Sequence, residues 1–362
     1  MNRLTVLPTI LAVLVLACSL PGVITTSAPS ADQSPTALPP TESAPSADQS
    51  VVPPLYFFYV NHTHLSGDYW PYTDTTLQTI DSQVAENTIA AIEGIADVLD
   101  RYGVQASWEA VYGTAQGLCA YEGSDHIFRR LVESGHEVGL HVHNGADYQR
   151  AYQALHDVCG LSPTVTSGLL VAGGRESSQQ SGAVAGIQTN LDLGVQAATI
   201  GLGGSPSVRT CQGQLGERGR ALSTTSTLLF PWQPAWRESN LCANDSQGDF
   251  VLVDHLSMES WTGARGNQQA DLLTAADFEQ LRAQLDAALD FMAAERPTQI
   301  AAWGFVTHPT EFMPGDRGEN PPDPAALAAL EEFLAYVDTQ RAAGRVVYAT
   351  VGEIAERAFP EQ

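Results

Sequence analysis

Histidine is the chemistry-bearing residue that clusters in this chain. Five of its nine histidines fall in three short stretches, Asn61-His62-Thr63-His64, Leu140-His141-Val142-His143-Asn144 and Val306-Thr307-His308-Pro309. On an extended strand, residues i and i+2 share a face, so His62 pairs with His64 and His141 with His143. Two such pairs facing one cavity would offer a nitrogen-rich site for zinc or a similar divalent ion. Imidazole binds such an ion as the neutral base, so that site would empty in acid. A single His-x-His carries little weight; two of them at equivalent strand ends carry the expectation. His308 stands alone and suits proton transfer. Glu109 is the first candidate for a general base, with Asp254, Glu311, Asp68 and Asp147 behind it. His255, after Asp254, ends another strand. His126 and His156 are expected on helix surfaces, and His136 at the opposite end of its strand. Tyr69, Trp70, Tyr72, Trp232 and Trp236 are candidates for a sugar-stacking rim.

These groups need strands whose ends converge, and the hydrophobic pattern supplies them. Apolar runs of strand length occur at 55–60, 104–112, 136–143, 164–172, 195–200, 250–255, 299–307 and 345–351. Helical patterns lie between them at 84–102, 125–133, 148–158, 178–193, 274–295 and 323–343, most of them closed by a glycine. Ser124 is the expected cap of the second helix, and 201–248 reads as irregular. Alternation of near-continuous apolar strands with helices predicts a parallel sheet covered by helices. A closed or nearly closed (β/α) barrel is the first choice and an open doubly wound sheet the second. In both, the functional site lies at the carboxyl ends of the strands.

The stretch Gly135-His136-Glu137-Val138-Gly139-Leu140-His141-Val142-His143 resembles the second motif of the polysaccharide deacetylase (NodB-homology) family. Tyr102–Trp108, Gly173-Gly174-Arg175, Phe305–His308 and Val347–Ile354 fall where that family has its other motifs. The resemblance spans about 55–358, with 135–143 its specific part. It implies a distorted (β/α) barrel of about seven parallel strands, one divalent ion (usually zinc), and removal of acetyl groups from extracellular glycans. By the same resemblance His141 is a metal ligand, His308 the general acid, and Arg175 the residue that orients the base. The family's paired aspartates are replaced here by Asn61-His62-Thr63-His64, and Gly145 stands where its second metal histidine would be. The expected ligand set is therefore His62, His64, His141 and His143, with Glu109 as base.

Composition narrows the partners. The chain has 362 residues, 17 basic against 41 acidic, and a formal charge of −24. Every basic residue is arginine, which removes lysine-based chemistry. So acidic a surface repels nucleic acid and anionic lipid headgroups. Residues 1–17 read as a lipoprotein signal, with Val15-Leu16-Ala17 leading to Cys18 as the lipidated residue. Residues 18–54 read as a tether, in which Ser-Ala-Pro-Ser-Ala-Asp-Gln-Ser occurs at 27–34 and again at 43–50. Residues 55–362 form the single barrel domain. The expected location is the outer face of a bacterial membrane, reached only through the lipid on Cys18. The other cysteines suggest disulfides Cys119–Cys159 and Cys211–Cys242.

The function expected is metal-dependent removal of acetyl groups, as amide or ester, from carbohydrate. One alternative is a non-catalytic glycan- or metal-binding lipoprotein. A second is a glycoside hydrolase using Glu109 with Glu311 or Asp254. If Cys18 carries the anchor, a Cys18→Ser variant should move from the membrane fraction to the soluble extracytoplasmic fraction.

Overall fold

The first apolar run forms β1, Leu55–Thr63. It outlasts its apolar stretch because Asn61 stays in register with Thr307, and His62 and Thr63 with Glu109 and Ala110. In the computed structural model the described residues are 52–63, 82–143, 147–169, 177–201, 215, 227–257, 272–315 and 319–360. The signal, Cys18 and most of the tether lie outside them, as do His64, Asp68, Tyr69, Trp70, Tyr72, Arg175 and Cys211.

After β1 come α1 (Ser82–Arg101), β2 (Ser107–Ala110), α2 (Tyr112–Glu122), α3 (Ile127–Glu133), β3 (Glu137–His141) and α4 (Tyr148–Gln153). Then follow β4 (Val165–Ser167), α5 (Ser177–Asp192), β5 (Ala197–Ile200), the short β6 (Pro234–Ala235) and β7 (Asn240–Asn244), β8 (Val251–Asp254) and β9 (Leu256–Ser257). The chain ends with α6 (Ala275–Glu295), β10 (Ala302–Thr307), α7 (Pro324–Ala342), β11 (Val346–Tyr348) and α8 (Val351–Ala358). The main sheet runs β8-β5-β4-β3-β2-β1-β10-β9, every pair parallel, with β11 beside the start of β1. Its two ends, β8 and β9, are one run of chain broken at His255. The sheet thus returns on itself as a nearly closed barrel of seven parallel strands with helices around it.

Strand alternation divides the core. Phe58, Val60, Val165, Ala197, Val251, Val253 and Val306 fill the barrel interior. Phe57, Tyr59, Trp108, Trp303 and Phe305 face the helices, where Phe278 and Phe333 meet them.

Several local expectations differ from the structure. The strand expected at 104–112 is short, and α2 follows it at once. This helix buries Gly113, Thr114, Ala115, Gly117, Leu118 and Cys119, so its glycines and small residues give no apolar stripe for sequence reading to find. His126, expected at the surface, is 2% exposed and is itself the cap of α3 in place of Ser124. Its Nδ1 accepts from the Arg129 N–H at 3.1 Å, and Nε2 lies 2.9 Å from the Cys159 carbonyl oxygen. Burial lowers its pKa, which keeps the ring neutral for both bonds. The strand expected at 164–172 stops at Ser167, because Gly168 turns to φ +84°. Trp232 and Trp236 are buried and donate to the Leu241 carbonyl and the Asp249 carboxylate, so neither forms an exposed stacking rim.

Cys119 and Cys159 form the expected disulfide, with 40 residues of separation. Cys242 is also disulfide-bonded, whereas Cys211, its expected partner, lies outside the described residues. The 119–159 loop encloses α3 and β3. Replacing both cysteines by alanine should cost about 4 kcal/mol of unfolding free energy from loop closure, measured by denaturant titration.

Candidate active site

The strand that fills the interior with Phe58 and Val60 next presents His62 on the same face. Register carries this level around the barrel. His62 pairs with Glu109 on β2, and His141 on β3 pairs with Ser167 on β4. Thr199 lies two residues beyond the interior Ala197, His255 two beyond Val253, and His308 two beyond Val306. Each strand therefore delivers one side chain to the carboxyl end: His62, Glu109, His141, Ser167, Thr199, His255 and His308. Four imidazoles and one carboxylate replace the aliphatic filling below them.

The contacts are close. His62 Nε2 lies 3.1 Å from Glu109 Oε2. The His62 and His141 rings stack at 3.9 Å between centroids. His141 Nδ1 is held by Ser167 Oγ at 2.5 Å, and its Nε2 lies 2.9 Å from His143 Nε2. The Thr199 hydroxyl reaches both Glu109 oxygens at 3.2 Å. His308 sits 5.4 Å from His62 between ring centroids. Glu311 accepts the His308 backbone N–H at 2.7 Å, and its carboxylate lies 3.5 Å from His308 Nδ1.

His62, Glu109 and His141 place one ligand atom each within 4.8 Å of one another. Two imidazole nitrogens and a carboxylate oxygen are a donor set suited to zinc, on which tetrahedral ligand atoms stand about 3.3 Å apart. The spacing of His62 from Glu109 is close to that value. Ser167 on His141 and Thr199 on Glu109 are outer contacts of the kind that fix ligand orientation. The residues present thus fit a divalent ion.

Burial sets the charge states. Glu109 is fully buried, and desolvation raises its pKa to about 8 against the lowering effect of the Ser167 and Thr199 hydroxyls. Burial, with a smaller contribution from the His308 charge, lowers His143 and His255 to about 4.

Of the expected site residues, His62, Glu109, His141, His143 and His308 come together. His64 and Arg175 lie outside the described residues. Glu109 stands among the donor atoms rather than apart from them as a separate base. Asp254 accepts the Leu228 N–H at 2.7 Å and Glu311 caps His308. Neither stands ready as the second carboxylate that glycoside cleavage needs. Asp147 is buried, 3.6 Å from Arg150. His136 accepts from the Ala106 N–H at 3.0 Å at the far end of β3. Ser167 and Thr199 escaped sequence reading. Their one legible signal is a hydroxyl at a strand end with Gly168 or Gly201 just beyond.

No protein-family model matches this sequence, and no curated protein matches it. Solved structures do. One named as a polysaccharide deacetylase, from Mycobacterium smegmatis, superimposes with a TM-score of 0.50 at 16% identity, covering 89% of this chain and 95% of its own. Another so named, from Pseudomonas aeruginosa PAO1, gives 0.51 at 14% identity, covering 86% and 94%. The chain has the polysaccharide deacetylase fold. An allantoinase shares it, with a TM-score of 0.51 at 13% identity over 88% of this chain and 96% of that one. At these identities the likeness is one of fold, and the chemistry must be argued from the residues of this barrel.

The metal-free protein has a testable pH profile. Folded Glu109 keeps its proton up to about pH 8, whereas the unfolded chain releases it near 4.5. The unfolded state therefore holds fewer protons across that window, and stability falls as pH rises through it. His143 and His255 act oppositely, because the unfolded chain takes up their protons near 6.5 and the fold resists until about 4. Their contribution falls as pH drops through that interval. Glu109→Gln should remove the decline that ends near pH 8 and steepen the rise between about pH 4.5 and 6.5, seen in melting temperature against pH after chelation.

Proposed function

We propose that this protein is a hydrolase that removes acetyl groups, as amide or ester, from carbohydrate, using a divalent ion held by His62, Glu109 and His141. The observation that carries the reading is the convergence of those three donors at the carboxyl mouth of a deacetylase-type barrel. Zinc suits the donor set best. Bound there, the ion would polarise the acyl oxygen and acidify water.

The rest is the work of side chains. Ser167 fixes the His141 ring through Nδ1, so that the ion would take Nε2 in place of its contact with His143 Nε2. Thr199 and Ser167 hold the Glu109 carboxylate. His143, expected as a ligand, stands beside the three donors instead, with Nε2 2.9 Å from His141 Nε2, and is the side chain placed to receive the proton of the attacking water. His308 has Nδ1 turned to Glu311, which leaves Nε2 to deliver a proton to the departing nitrogen or oxygen. The C–N or C–O bond breaks as water forms the new C–O bond, and the products are acetate and a free amine or hydroxyl. Arg175 is assigned no role beyond the family expectation that it orients the base. The ligand role for Glu109 replaces its expected role as base, because it shares the donor cluster with His62 and His141.

The same proposal places the protein outside the cytoplasmic membrane, tethered by lipid on Cys18, with glycan as its partner. No helix among the described residues is long and apolar enough to cross a membrane.

The test is zinc content and acetate release from acetylated amino-sugar and O-acetylated oligomers. About one equivalent of ion and measurable acetate are expected. His141→Ala should lose both. His308→Ala should keep the ion and lower kcat by about 100-fold or more. A full equivalent of ion without turnover on any acetylated sugar would favour the binding-lipoprotein alternative.

A further inference from the structure

Six of the seven side chains at the mouth have tasks in the reading above; His255 has none. It occupies the break between β8 and β9, where the strand leaves β5 for β10. Its backbone N–H donates to the Ile200 carbonyl at 3.1 Å, which fixes where the side chain starts. Its ring is 4% exposed and meets His62 edge-on, with centroids 5.7 Å apart and planes at 82°. Behind it lies Gly201. A Cβ there would stand 3.0 Å from His255 Cε1 and 3.5 Å from Nε2, so the backbone approaches the ring as closely as only glycine allows without displacement. The imidazole is thus pressed between the β5 end and His62, while His141 stacks on His62 at 3.9 Å.

We infer that His255 is a positioning residue for the ion site: a flat polar wall, backed by Gly201, that holds the His62 ring where its Nε2 faces Glu109. The inference rests on the reading of His62 as a ligand. Without the wall, His62 regains rotamer freedom that binding must remove, and ion affinity falls while the fold persists.

Zinc titration of the chelator-treated full chain by calorimetry, with the urea midpoint of each metal-free variant, tests it. His255→Ala should weaken zinc binding about 10- to 100-fold, the usual range for outer contacts of a metal ligand, with little change in urea midpoint. His255→Gln, whose planar amide reaches about as far, should recover most of the loss. Gly201→Ala, which pushes on the ring from behind, should weaken zinc in the same direction and covers the case in which His255→Ala does not fold. Wild-type affinity in both His255→Ala and Gly201→Ala would overturn the inference. So would a loss of affinity matched by an equal loss of metal-free stability. His62→Ala separates the two readings. If the wild type binds zinc and His62→Ala does not, the ligand assignment stands whatever His255 does. Should wild type and His62→Ala bind alike, the ligand assignment fails and this inference with it.

Discussion

Parallel register is the constraint on which this site depends. In a parallel sheet, register partners on neighbouring strands lie side by side and turn their side chains to the same face. A single polar residue at the carboxyl end of each strand therefore becomes a ring without any long-range instruction. The pairing of His62 with Glu109 is the clearest instance, since adjacent register alone brings a ring nitrogen to 3.1 Å from a carboxylate oxygen. One residue of slippage in β1 would send His62 toward the helices and bring Asn61 or Thr63 inward.

Below the ring the barrel is aliphatic, and that contrast gives the site its electrostatics. The same lack of water that fills the interior with valines removes solvation from Glu109 and pushes its pKa to about 8. A carboxylate so placed is expensive to ionise alone and is relieved by a cation. His143 and His255, beside the donor cluster, experience the opposite bias and are driven toward the neutral form. Burial thus leaves the Glu109 carboxylate short of a counter-charge. Hydroxyls rather than further charges complete the shell, with Ser167 and Thr199 turning His141 and Glu109 toward each other.

Outside the barrel, the elements around β3 receive unusual support. The Cys119–Cys159 disulfide closes the segment that carries His141, and His126 joins the start of α3 to the Cys159 carbonyl. At the other end of β3, the Glu137 carboxylate accepts from Ser107, Thr164 and the Gly352 N–H, which ties three strands to the last helix. The start of β3, opposite its site histidine His141, is in this way fixed.

The sequence by itself determined the alternation of strands and helices and the concentration of histidines at three strand ends. These are local signals, written in hydrophobic period, glycine stops and His-x-His spacing. Only the tertiary structure decided that His62, Glu109 and His141 form the donor cluster. It also showed that Ser167 and Thr199 orient them, and that His255 joins the site through a break in its strand. Those facts depend on which strands are neighbours and at what register, and no sequence interval records the height at which a distant strand ends. The buried roles of His126, Trp232 and Trp236 were hidden for a related reason. Burial is a property of what packs around a residue, and the neighbours come from chain far away.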